Sequence, residues 1–202
     1  RSDYGTLKLN ADGEWTYTTK GALDQLKEGQ TVVDRFTVTA EDGTEKEVAI
    51  TLIGTNDAAV IGGSASATVT ESNVQQEATG TLTSTDVDGN ANVFTASEQS
   101  SDYGTLKLNA DGEWTYTTKG ALDQLKEGQT VVDRFTVTAE DGTEKEVAIT
   151  LIGTNDAAVI GGSASQTLTE SNVQQEATGT LTSTDVDGNA NVFTASEQSS
   201  DY

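Results

Sequence analysis

Apolar and polar residues alternate along the chain in many short runs bounded by Gly, Asp, Asn and Ser. Alternation with a period of two predicts half-buried β-strands. One stretch is expected to carry seven of them: Ser64–Thr70, Ala78–Thr85, Asn92–Ser97 with Val93 and Phe94, Gly104–Asn109, Glu113–Thr118, Val131–Ala139 and Glu146–Ile152. The fourth and fifth read as a hairpin across Ala110-Asp111-Gly112, with Leu106, Leu108, Trp114 and Tyr116 on alternating positions. In the sixth, Val131, Asp133, Phe135, Val137 and Ala139 share the mostly apolar parity and are expected to face a core. Trp114, the largest apolar side chain of the stretch, is assigned to that core. Leu122 and Leu125 are three residues apart, which fits one helical turn plugging the core between the fifth and sixth strands. Seven short antiparallel strands in about 100 residues predict an all-β fold, an immunoglobulin-like sandwich.

The pattern then repeats. Residues 1–103 align on 100–202 with a period of 99, leaving three differences: Arg1/Ser100, Ala67/Gln166 and Val69/Leu168. Solenoid repeats run at roughly 20–50 residues, so a repeat of this length is a whole domain in tandem. The division this predicts is the last four strands of one repeat in 1–57, a complete repeat in 58–156 and the first three strands of another in 157–202. A permuted division into 2–100 and 101–199 is the alternative. Under the first division Arg1 is expected to fall inside a longer array. Neither flanking fragment can then bury a core by itself, since half a sandwich leaves an apolar face and open edges. The tail of one molecule is accordingly expected to complete the head of the next.

Composition narrows the function. Thirty-three acidic and 11 basic residues give a formal charge of −22. Nucleic acid and anionic membrane surfaces are therefore not expected as partners, because binding them needs a basic face. Self-repulsion of this size disfavours a compact state unless something neutralises it, and divalent cations would. The chain has no Cys, His, Met or Pro. That removes disulfides, the usual zinc and copper ligands and the commonest catalytic base. No apolar run approaches the roughly 20 residues of a membrane span.

The acids fall in loops. Thr85-Asp86-Val87-Asp88-Gly89-Asn90 follows the second strand and recurs as Thr184 to Asn189, with Asp185 and Asp187. Two aspartates at i and i+2 before a glycine can turn both carboxylates toward one ion, as oxygen-ligand calcium loops do. No closing Glu at position 12 follows, so an EF-hand is excluded. Ala139-Glu140-Asp141-Gly142 joins the sixth and seventh strands and matches Ala40-Glu41-Asp42-Gly43. Gly-Thr-Asn-Asp, with Asn56 and Asp57 and again with Asn155 and Asp156, is read as the joint between repeats. In such a sandwich the incoming joint and these two loops lie at the same end. Asn56, Asp57, Asp86, Asp88 and Asp141 are therefore expected to converge, without a basic partner, around a cation. At the opposite end Glu71 closes the first strand, and Asp123 or Glu127 precedes the sixth. These face Asn155, Asp156, Asp185 and Asp187 at the next joint. Asp42 and Glu170 are the counterparts of Asp141 and Glu71 in the flanking fragments. Asp12-Gly13 and Asp111-Gly112 read as hairpin turns.

Three segments carry a resemblance: Gly-Thr-Leu-Lys-Leu-Asn-Ala-Asp-Gly-Glu-Trp-Thr-Tyr-Thr, Asp-Arg-Phe-Thr-Val-Thr-Ala-Glu-Asp-Gly and Ile-Thr-Leu-Ile-Gly-Thr-Asn-Asp. Together they resemble the VCBS repeat of large bacterial RTX-type adhesins. Ala58-Ala59 departs from it, since the family usually has Ala-Pro there. The chain is also similar to cadherin domains in Thr-Asp-Val-Asp-Gly, in Val-Thr-Ala-Glu-Asp-Gly, in the Thr-Asn-Asp linker and in Glu71. The resemblance implies calcium between domains, with Asn56, Asp57, Asp86, Asp88 and Asp141 in one site. Glu71, Asn155, Asp156, Asp185 and Asp187 would form the next. It further implies export by a type I system to the cell surface, neighbouring repeats as partners, and a non-enzymatic extender role in adhesion or biofilm formation. A ligand-binding module for glycan or host protein is the alternative.

Overall fold

A computed structural model describes residues 2–201. Fourteen strands form, and no helix occurs among the described residues. In chain order they are β1 (Gly5–Leu9), β2 (Trp15–Thr19), β3 (Thr31–Thr39), β4 (Glu45–Ile53), β5 (Val60–Gly63), β6 (Ser66–Thr70) and β7 (Glu77–Thr85). Then follow β8 (Ser97–Ser100), β9 (Gly104–Leu108), β10 (Glu113–Thr118), β11 (Thr130–Thr138), β12 (Glu144–Ile152), β13 (Val159–Gly162) and β14 (Leu181–Thr184).

Two sheets, β5-β7-β10-β9-β8 and β11-β12-β6, face each other across a single apolar cluster. Every buried member of the cluster lies between Ala59 and Leu151. The period-two reading holds for side-chain direction. Phe135, Val137 and Ala139 of one parity are buried, and so are Val147, Ile149 and Leu151 of β12. Trp114 and Tyr116 are buried at 1% and 0% exposure. The Trp114 indole lies on Gly80, its register partner in β7, and donates Nε1–H to the Ser64 carbonyl at 2.7 Å. A side chain at Gly80 would overlap the ring. Asp133, on the core parity of β11, is buried because Tyr116 Oη donates to it at 2.8 Å and Ser101 Oγ at 2.5 Å. Burial and then the Asp133 carboxylate push the Tyr116 hydroxyl pKa up. The architecture is an all-β sandwich of immunoglobulin-like layering.

Four expectations need correction. The first predicted strand holds only β6, and a strand not predicted, β5, precedes it: β5 pairs with β7, and after a bend at Gly63 (φ 85°) β6 joins the other sheet. Such a positive φ favours glycine and lets the chain change sheets within three residues. β6 runs parallel to β12, so the sandwich is not wholly antiparallel. Residues 92–97 form no strand up to Ala96; only Phe94 bridges to Ala139, and the strand there is β8. The plug between β10 and β11 is a turn, closed by Leu125 N–H to the Leu122 carbonyl at 2.9 Å, with both leucines buried. Leu122 adopts φ 64°, which no helical turn contains.

The flanking parts hold isolated pairs: β1-β2, β3-β4 and β13-β14. The central sheet joins β7 to β10 across residues 100 and 101, where the permuted division would cut.

Candidate metal-binding joints

Backbone connections bring the acids of the second joint together. The parallel ladder of β6 and β12 is extended by the Glu71 amide, which donates to the Ile152 carbonyl at 2.7 Å. Glu71 thus stands beside Thr154, whose amide (3.1 Å) and hydroxyl both donate to its Oε2. Gly153 passes so close to the turn before β11 that a side chain there would overlap the Leu125 and Lys126 carbonyls. The Gly153 amide ties this passage to the Gln129 carbonyl at 2.8 Å. Asp123, held between the buried Leu122 and Leu125, is carried to the same place. Carboxylate oxygens of Glu71, Asp123 and Asp156 lie within 4.8 Å of one another. Oxygens sharing one calcium at 2.3–2.6 Å can be no more than about 5 Å apart, so this spacing fits a single ion.

Asp185 and Asp187 reach the group from the loop after β14. Asp185 Oδ1 accepts from the Asp187 amide at 3.2 Å. Asp156 has its pKa raised, first by burial and then by the charges of Glu71, Asp123, Asp187 and Asp185. Asp187 is raised by its hydrogen bond with Asp185 and by burial. Asn155 turns its amide to the Asp156 carbonyl at 3.1 Å.

At the first joint the five predicted residues do meet. The Asp57 amide donates to Asp88 Oδ2 at 3.3 Å. Asp86 Oδ1 caps the Asp88 and Gly89 amides at 3.1 and 2.8 Å, an aspartate turn. Asp141 accepts from Asn56 Nδ2 at 3.4 Å and from the Ala59 amide at 2.8 Å, while Thr143 holds it from its own turn. Burial pushes the Asp141 carboxyl up, but the bonds from Thr143, Ala59 and Asn56 outweigh it and bring its pKa to about 2. Asp88 is raised by its hydrogen bond with Asp86 and by burial. The expectation of no basic neighbour fails here, since Lys27 lines the same groove with Asn56, Asp86, Asp88 and Asp141. Asp42 takes the same turn contact from Thr44, and Glu170 is exposed.

Among the described residues, five buried side-chain oxygens have no hydrogen-bond partner: Glu71 Oε1, Asp88 Oδ1, Asp123 Oδ1, Asp156 Oδ2 and Asp187 Oδ1. All five belong to these two joints. A buried, unpaired carboxylate oxygen is costly, and crowding several of one sign multiplies the cost. The donor set is all oxygen, which suits a hard cation. Sequence reasoning named Asp123 only as an alternative to Glu127; the signal that separates them is Asp123's place between two core leucines.

The opposed shifts give a pH profile for the metal-free protein. Asp156 has a folded pKa above its ordinary 3.8, so its charge destabilises the fold above that raised value. The penalty is relieved as pH falls through the raised pKa. Asp141 is the reverse: its contribution is present above 3.8 and is lost as pH falls toward about 2. Thermal scans in chelator should show stability rising as pH drops from neutral toward the carboxylate range and then falling below it. Asp156→Asn should flatten the rise and leave the fall.

Residues 56–153 match the family described as the bacterial cadherin-like domain. The match takes in every strand of the central sandwich, β5 to β12. No curated protein matches the chain.

Proposed function

We propose that the chain, whose residues 56–153 match the bacterial cadherin-like domain family, is a calcium-stiffened extender module of a secreted bacterial surface adhesin, holding a distal binding domain away from the cell. The observation that carries the reading is the set of orphaned, buried carboxylate oxygens at the two joints. The family match and the charge of −22 support it.

At the second joint Glu71 and Asp123 would bind from the sandwich, Asp156 from the linker and Asp185 and Asp187 from the following unit. At the first, Asp57, Asp86, Asp88 and Asp141 would bind, with Asn56 beside them. A bound ion supplies positive charge where the carboxylates repel. Because its ligands come from both sides of a linker, bending the joint would pull them away. Open, carboxylate-rich sites of extracellular modules bind calcium at roughly 10⁻⁴–10⁻³ M, so the joints would be loaded outside the cell and slack inside it. Trp114 and Tyr116, the aromatics that a glycan platform would display, are buried. That removes the central sandwich's support for a ligand-binding module, and the proposed role involves no catalysis.

Calorimetric titration of the chelator-stripped chain should show calcium binding in that range, and small-angle scattering should show an increase in maximum dimension over the same interval. Binding without elongation would retain the ion and reject stiffening. No heat at all, up to about ten times the upper end of that range, would reject both.

A further inference from the structure

The turn between β10 and β11 serves the joint and the core at once. Asp123 brings a carboxylate oxygen within 4.8 Å of those of Glu71 and Asp156. Leu122 and Leu125, on either side of it, are 5% and 2% exposed and belong to the apolar cluster between the sheets. The Leu125 amide donates to the Leu122 carbonyl at 2.9 Å, which closes the turn on itself, so the three residues move as one body. Gly120 (φ 93°) and Gly128 (φ 73°) bracket the turn, and neither has an atom within 4 Å of where a Cβ would stand. Positions so open and so permissive of backbone rotation serve as hinges. The three carboxylates are anchored unequally. Glu71 is 4% exposed and tied by its amide to the Ile152 carbonyl at 2.7 Å, while Thr154 donates twice to its Oε2. Asp156 follows Thr154 by two residues and is held to Glu71 through it. Asp123 is carried by the bracketed turn alone. Each of the three has a buried oxygen without a partner: Glu71 Oε1, Asp123 Oδ1 and Asp156 Oδ2.

We infer that the turn of residues 120–128 is a plug latched by the joint's cation: the ion holds Asp123 in place, and Leu122 and Leu125 then seal the end of the core. The inference rests on the calcium reading of the second joint and extends it from the angle of the linker to the interior of the sandwich. Three like charges at this spacing, shielded from water, repel strongly unless a cation lies among them. Glu71 and the linker are bonded to each other, so the charge that yields without the ion is Asp123. It cannot leave alone, because the closed turn carries both leucines with it. Swinging out on Gly120 and Gly128, the turn moves Asp123 into water and opens the core between the sheets. The strands on either side, β10 and β11, are held by their own ladders and stay in place. Loading the joint reverses the movement, so the closed core and the bound ion stabilise each other.

The chain holds no cysteine, so a single introduced thiol reports on one place even between near-identical repeats. Leu125→Cys is made in the whole chain, with Leu122→Cys as a second reporter of the same movement. Val147, 0% exposed in β12, gives the reference variant Val147→Cys within the core. Circular dichroism checks that each variant keeps the wild-type fold, and labelling by a maleimide is timed in chelator and in about 10 mM calcium. At the leucine positions labelling should be faster in chelator, by up to about a hundredfold where calcium stands at a hundred times its dissociation constant. Val147→Cys should stay slow in both. Adding Asp123→Asn removes the charge that drives the turn out, and should make the leucine-site thiols slow in chelator as well. Equal labelling in chelator and calcium, with calorimetry showing the ion bound, overturns the plug and leaves the calcium reading intact. A Val147→Cys rate that rises in step overturns it too, since the whole sandwich is then unfolding. So does acceleration in chelator that survives Asp123→Asn. Absence of any calcium heat overturns plug and joint together, and the titration tells that case from the others.

Discussion

Trp114→Ala should lower the unfolding free energy of the central sandwich by about 3–5 kcal/mol, while Trp15→Ala, the same change one repeat earlier, should move it by no more than about 0.5 kcal/mol. The local sequences around the two are identical, so propensity and turn chemistry cancel. What differs is the cover. Trp114 is 1% exposed, pressed on Gly80 and bonded to the Ser64 carbonyl; Trp15 is 48% exposed. Removing the first leaves a cavity between two sheets and an unpaired carbonyl, and removing the second returns surface to water. Urea unfolding of dilute protein followed by circular dichroism measures both. Equal effects would mean that Trp15 is buried in solution as deeply as Trp114.

Glu71→Gln should invert its rank against the wild type when calcium is added. In chelator the variant should be the more stable. It keeps an oxygen for Thr154 and gains an amide that can donate to the orphaned oxygens of Asp123 and Asp156. In calcium the wild type gains by mass action, about 2.7 kcal/mol at a hundred times the dissociation constant, and the variant should lose most of that. Asp123→Asn should behave alike, although it lies far from Glu71 in the sequence. Unfolding curves in chelator, calcium and magnesium test the crossing. Parallel curves in all three would reduce the acids to solvated charge.

Much of the joint chemistry was legible beforehand because loops declare themselves. Asp-x-Asp-Gly after a strand and Asn-Asp between β-branched runs are turn and linker chemistry whatever surrounds them, and at the first joint hydrogen bonds link Asn56 to Asp141 and Asp57 to Asp88. Lys27 beside the first joint was not legible, nor was the choice of Asp123 over Glu127. Both depend on which side of a turn faces the joint, and that is set by the buried leucines beside them, Leu26 before Lys27 and Leu122 and Leu125 around Asp123.

The repeat makes the division unusually clean, since near-identical segments occur in two surroundings. The hairpins β1-β2 and β9-β10 pair in equivalent registers, Leu9 with Trp15 and Leu108 with Trp114, and β3-β4 and β11-β12 do the same. The Asn10 and Asn109 side chains cap the same turns, and Asp34 and Asp133 each hold the same tyrosine and serine hydroxyls. These features the sequence determined by itself, because a short loop closes at little entropic cost and its own side chains bond it. Residues 64–81 and 163–180 differ at two positions, yet the first supplies β6 and the start of β7 and the second forms no strand. Ser97–Ser100 is a strand beside β9, while residues 196–199 are not. Here only the tertiary structure decided: a strand whose partner lies far along the chain has its backbone hydrogen bonds and its apolar cover supplied from elsewhere, and without them the ordering entropy has nothing to offset it.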